Sequence, residues 1–321
     1  MAPGAELPST IPSVTTATGM RERVCRAAAQ LLLEDERVSI VLGEISIPYF
    51  EEAFRRAPER IFNVGIMEQT MVGVAAGLAM EGFHPIVHTI APFLVERPFE
   101  QLKIDFGYQE LGGTFISVGA SYDYVVEGTT HHSPADVALV STIPGFEVLV
   151  PGTATEAVSL LRASYASNRG KYLRLSERQN PISHEVQPGR TEVLRRGASG
   201  ATIIAVGPML RPVQDAMEDI DATLLYVTTV APFDSVTVAR EAGDHVIVVE
   251  PFLQGTLAAS VMECFGSRPV RLTCIGVPRT NFRTYGSRED LDVVAGLDVP
   301  TLKRRLYEAL ETRGAASTRA V

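Results

Sequence analysis

Short apolar runs alternate along this chain with stretches whose apolar residues recur every three or four positions. The first periodic stretch is Met20 to Leu33, with Val24, Ala27, Ala28, Leu31 and Leu32 on one helical face. Then come VSIVLGE (38–44) as a buried strand ending at a glycine, and RIFNVG (60–65) as a short strand or turn. HPIVHTI (84–90), GTFISVGA (113–120), FEVLVPG (146–152) and KYLRLS (171–176) read as further strands. PFEQLKIDFGYQ, SPADVALVSTI and TATEAVSLLRASYAS read as the helices between them, the last capped by Thr153 or Thr155. Strands alternating with helices predict a parallel sheet covered on both faces. The pattern loosens around QNPISHEVQPGR, where Pro181, Pro188 and Gly189 fall close together. A second set follows: TIIAVGPM, a helix around Arg211–Ile220, TLLYVTTV, HVIVVEP, a helix over Leu257–Cys264, PVRLTCIG and LKRRLYEAL. The expectation is an α/β protein with two parallel-sheet domains, over 20–185 and 200–314, joined by a linker at 186–199.

Composition changes this picture little. Of 321 residues, 45% are hydrophobic and 21% charged, which suits a globular chain with sizeable cores. The net charge of −9, without a basic run, argues against nucleic acid or an anionic membrane as partner. It leaves room for a phosphorylated small molecule, which needs only one or two placed arginines. No stretch is long and apolar enough to span a bilayer. Cys25, Cys264 and Cys274 fit no metal spacing and read as reduced thiols, which suits a cytoplasmic protein. The Pro-, Ser- and Thr-rich residues 1–19 read as a flexible tail, and 315–321 as a frayed end.

Four segments carry candidate chemistry. The apolar stretch NVGIMEQTMVGVAAGLAMEGFHP carries a carboxylate, Glu68, near its head. APFLVERPF sets Phe93 and Arg97 just after a strand. EGTTHHSPAD sets Glu127, His131 and His132 in a loop, and LRLSERQNP sets Arg174 and Arg178 at a strand end. Three of the four follow strands, where open α/β sheets build their sites. Taken singly, each has a plain reading: a helix-dipole carboxylate, a core aromatic, a solvated histidine pair, surface arginines.

In combination they resemble one family. GIMEQTMVGVAAGLAMEGFHPIV is similar to the pyrimidine-binding domain of the transketolase family of thiamine diphosphate enzymes. EGTTHH resembles its GEDGPTHQ loop, LSERQNP its LSRQN strand end, and IGVPRTNFRTYGSREDL its C-terminal domain. The resemblance covers roughly 21–310. It implies that Glu68 hydrogen-bonds a ring nitrogen of the cofactor's aminopyrimidine, favouring the tautomer that generates the thiazolium ylid. It implies that Phe93 stacks on that ring, flanked by Ile90 and Met67. His131 becomes the proton-handling residue facing the substrate. Arg178, with Arg174 as fallback, becomes the phosphate contact; Glu127, His132 and Arg97 join it around the substrate. Glu127 and His132 replace the family's Asp and Gln.

The family's GDG motif, which holds the cofactor's diphosphate through a metal, is absent from this sequence. The expectation is therefore a C-terminal subunit of a split transketolase-like enzyme. A partner chain carrying the diphosphate-binding domain would supply the ligands of Mg2+ in an α2β2 assembly. The expected reaction passes a two-carbon ketol unit from a ketose, as its phosphate, to an aldehyde. The alternatives are pyruvate decarboxylation with acyl transfer, as in deoxyxylulose phosphate synthases or 2-oxo acid dehydrogenase β subunits, branch addition to an unusual sugar, or a non-catalytic subunit.

Overall fold

The computed structural model describes residues 19–311. Residues 1–18 of the tail expected at 1–19, the frayed end expected at 315–321, and residues 312–314 lie outside the described residues. Twelve strands are formed among those described: β1 (Val38–Leu42), β2 (Ile61–Asn63), β3 (His84–Ile90), β4 (Gly113–Val118), β5 (Glu147–Leu149), β6 (Gly170–Arg174), β7 (Thr191–Arg195), β8 (Ala201–Val206), β9 (Thr223–Val227), β10 (Thr229–Ala231), β11 (His245–Leu253) and β12 (Arg271–Val277). They build a seven-stranded sheet, β10-β5-β6-β4-β3-β1-β2, and a five-stranded sheet, β12-β11-β8-β9-β7. Both are mainly parallel. Every residue of β1, β4, β6 and β8 is buried. Strands covered on both faces are built mostly of apolar residues, although β6 also buries Lys171 and Arg174.

The helices Met20–Glu34 and Ala154–Ser164 lie where the apolar spacing puts them. Met20–Glu34 buries Val24, Leu31 and Leu32 completely, each contributing roughly 1.5–3 kcal/mol. Ala154–Ser164 is capped by Thr153, whose side chain accepts from the Glu156 N–H; such a cap is worth about 1 kcal/mol. Glu156 is fully buried and accepts the N–H groups of Gly152 and His184 and the Tyr226 hydroxyl, at 2.7–2.9 Å. That ties the turn after β5 to the second sheet. No helix among the described residues is long and apolar enough to cross a membrane.

Three features depart from the sequence expectation. The stretch 186–199 is not a plain linker: β7 within it pairs antiparallel with β9. TLLYVTTV is not one strand. It divides at Thr228, and its second part, β10, crosses to pair antiparallel with β5 in the first sheet. Apolar periodicity marks a strand but not its partner, so a strand shared between sheets reads like one staying in its own. The helix expected over PFEQLKIDFGYQ is a short turn, Phe99–Gln101, continued by a π-helix at Leu102–Tyr108.

Glu250, within β11, is buried and accepts N–H groups of the turn after the strand from Gly255 and Leu257. Burial outweighs these bonds and pushes its pKa up to about 7. The folded state therefore binds the proton more tightly than the unfolded chain does. Its stabilising effect is full below about pH 4.5 and is lost as pH rises through 7, a difference on the order of 3 kcal/mol. Glu250→Gln should flatten that part of the stability–pH profile in denaturant titrations at pH 5 and 8. An unchanged slope would refute the assignment.

Candidate active site

The candidate residues gather beyond the carboxyl ends of β2, β3 and β4. After β2 the chain turns through Gly65, at φ +74°, into the helix Glu68–Met80. Glu68 is the first helical residue and is buried at 4% exposure, while Met67 before it is exposed. After β3, the short helix Ala91–Val95, with Pro92 in its first turn, carries Phe93. The next residues bring Arg97 back over both. Its Nη1 donates to Glu68 Oε1 at 2.7 Å, and its guanidinium lies 3.9 Å from the Phe93 ring centroid. The Gln69 side-chain amide donates to the Arg97 carbonyl at 3.3 Å, holding the backbone there.

The third part is the loop after β4. Gly119 has φ +76°, and a Cβ there would sit 2.6 Å from the Tyr124 ring, so only glycine fits. A bridge between Ser121 and Ser133 closes the loop's base. The segment Val125–His131 is a 3₁₀ turn broken at Gly128, and it delivers His131 edge-on to Phe93, centroids 5.1 Å apart. Tyr124 flanks His131 at 6.3 Å, and the Thr130 hydroxyl lies 2.9 Å from His131 Nδ1. Ser133 Oγ donates to Glu96 at 2.7 Å; burial still raises the Glu96 pKa above its ordinary value. Glu68, Arg97, Phe93 and His131 thus form one contiguous group built from three strand ends.

Other expected site residues lie elsewhere. Glu127 is exposed at the tip of the loop, and Ile90 is half-buried beside Gly119. His132 is buried against Phe282, and burial lowers its pKa. Among the described residues, both of its ring nitrogens are without a hydrogen-bond partner there. Arg174 ends β6. It is fully buried, donates from Nε to Asp136 and from Nη2 to Ser121, both at 2.7 Å, and serves as an interior ion pair. Arg178 pairs with Asp292 in the helix Arg288–Ala295, and Arg288 pairs in return with Asp123. The arginine read as a phosphate contact is taken up tying the two domains together. Arg97 turns to Glu68 rather than outward. The sequence reading missed Tyr124 and Asp136. Asp136 sits within a helical pattern, and nothing local marks it as the counterion of Arg174, which lies 38 positions away.

Residues 17–182, just over half of the chain, match the family described as "Transketolase, pyrimidine binding domain". The chain belongs to the transketolase family. Transketolase relatives extend the likeness across both domains. The chain is 30% identical over 301 residues to "6-deoxy-6-sulfo-D-fructose transketolase subunit SqwH" of Clostridium sp. (strain MSTE9), covering 88% of this chain and 93% of that one. It is 40% identical over 281 residues to "Uncharacterized 33.6 kDa protein in fasciation locus" of Rhodococcoides fascians, covering 86% and 90%. A solved "Split gene transketolase, inactive beta4 tetramer" superposes with a TM-score of 0.78 at 26% identity, over 92% of this chain and 99% of that chain. By contrast, the chain spans 48% of the length of the 1-deoxy-D-xylulose-5-phosphate synthase of Chlorobium luteolum that it matches.

Proposed function

We propose that this chain is the β, C-terminal subunit of a split transketolase. With a diphosphate-binding partner it would transfer a two-carbon ketol unit from a ketose, as its phosphate, to an aldehyde. The observation that carries the proposal is the convergence of Glu68, Phe93 and His131 at neighbouring strand ends. Near-full-length likeness to a named transketolase subunit and to a split transketolase chain supports it.

The residues fit the aminopyrimidine half of thiamine diphosphate on the structure's own terms. Glu68 and Phe93 already hold a planar group that donates N–H to the carboxylate and lays its face on the ring. When bound, the cofactor supplies the nucleophilic carbon and electron sink that break a ketose C–C bond. Glu68 would hold the proton at the pyrimidine ring nitrogen. Its burial strengthens that bond, because little water competes for the carboxylate. Phe93 would orient the ring by stacking, with Ile90 and Met67 as apolar flanks. His131 would move the proton at the substrate's reacting oxygen, within reach of the same ring. Glu127 would contact a substrate hydroxyl at the mouth.

Magnesium and the diphosphate would be held by the partner, in an α2β2 complex. Exposed Ile66, Met67 and Met80 flank the helix that starts at Glu68, and Gly73 and Gly77 open its outer face. An apolar face bordering the cofactor seat suits a partner chain. Calorimetry of the chain alone should show weak or no binding of magnesium–thiamine diphosphate, and micromolar binding would sink the split site. The activity test co-purifies a candidate partner and offers a ketose phosphate with an aldehyde, or pyruvate. A new ketose without CO2 release supports ketol transfer. Turnover of pyruvate alone would move the chain to the decarboxylating branch.

A further inference from the structure

The Arg97 guanidinium is planar, donates N–H to the buried Glu68 carboxylate and stacks on Phe93. An aminopyrimidine seated by these two residues would need the same carboxylate oxygen and the same kind of ring contact. We infer that Arg97 is a placeholder: it occupies the aminopyrimidine seat in the free subunit and must leave when the cofactor enters. The inference rests on the reading that Glu68 and Phe93 form that seat.

The surroundings suit an exchange. Without Arg97, Glu68 would be a buried carboxylate with no cation, which is costly. With Arg97 the charge is paired until a ligand replaces it. The Arg97 side chain is 46% exposed against 6% for Glu68, so the arginine can swing to water while the carboxylate stays. Its backbone need not move: the N–H is held by the Pro92 carbonyl and the C=O by Gln69. A long flexible stem on a fixed backbone is the right build for a displaceable group. The consequence is a free subunit that resists loading by the cofactor's pyrimidine end alone. Loading would become favourable once a partner adds its contacts to the diphosphate end.

The test uses the full chain and the isolated fragment 4-amino-5-hydroxymethyl-2-methylpyrimidine, followed by saturation-transfer NMR titration. Arg97→Met should bind the fragment about tenfold tighter than wild type, and Arg97→Lys should fall between them. Equal or weaker binding by Arg97→Met would overturn the exchange. A second arm needs no variant. An arginine-selective dicarbonyl reagent, read by peptide mapping, should label Arg97 faster in wild type when the fragment is added. Protection of Arg97 would mean that it lies against the ligand rather than being displaced by it. Glu68→Gln in the Arg97→Met background separates the two claims. If it leaves fragment affinity unchanged, the seat itself is wrong and both readings fall. If it weakens binding while Arg97→Met alone gave no gain, only the exchange falls.

Discussion

Glu68→Gln in the assembled enzyme should lower turnover by about 10²- to 10⁴-fold, the range expected on loss of a positioned proton-handling group. The substitution keeps shape and one acceptor oxygen but removes the charge that holds a proton on a ring nitrogen. Two readings of this carboxylate differ in magnitude. As a mere helix-terminal charge, Glu68 would contribute about 0.3–1 kcal/mol to stability and nothing to catalysis. In Glu68→Gln the lost pair adds little to that, because no charge is left buried and the half-exposed Arg97 can turn to water. Unfolding temperature should therefore stay within a few degrees while turnover collapses. Near-normal turnover would remove the proposed role of Glu68 and favour a subunit that kept the fold without the chemistry.

How much of this site was legible in the sequence depends on the distance between partners. Glu68 was conspicuous because a single charge broke an apolar helix, a signal carried within ten residues. Phe93 and His131 were visible only through their motifs. Their edge-on meeting depends on β3 and β4 lying side by side, which periodicity does not state. Arg97 shows the limit. Its proximity to Phe93 in the chain was plain, but its turn back onto Glu68, 29 positions earlier, is a tertiary contact. The two arginines of LRLSERQNP show the same limit. The resemblance to LSRQN implies a phosphate contact at Arg178, with Arg174 as fallback, and says nothing of the partners each finds across the fold. Arg174 instead ends β6 inside the sheet's cover, and Arg178 meets a helix more than a hundred residues later. The strands themselves were legible wherever both faces are buried. The edge strands β7 and β10 were not: β7 lies in a stretch that reads as a linker, and β10 leaves its own run to pair with β5 of the first sheet.

The largest stability effect should come from Arg174. Its guanidinium and the Asp136 carboxylate are both closed to water, and the Tyr172 hydroxyl donates to the same Asp136 oxygen at 2.8 Å. Arg174→Ala leaves a buried carboxylate without its cation, which costs about 3–5 kcal/mol. For a unit of this size the thermal transition should fall by about 6–20 °C. Replacing both partners, as in Arg174→Met with Asp136→Leu, removes the stranded charge. That double variant should recover part of the loss: Ser121 and Tyr172 each give up one bond, but Ser121 keeps the Pro251 carbonyl and Tyr172 keeps Ser117 as partner. Calorimetric melting of the three variants reads this directly. If Arg174 were a substrate contact, the single variant would instead melt like wild type and raise KM for the phosphorylated substrate. A stable Arg174→Ala protein with weakened substrate binding would return the residue to the role its place in the sequence first suggested. A melting loss that the double variant repairs would show that the strand end of LRLSERQNP is there to hold the sheet beneath the site.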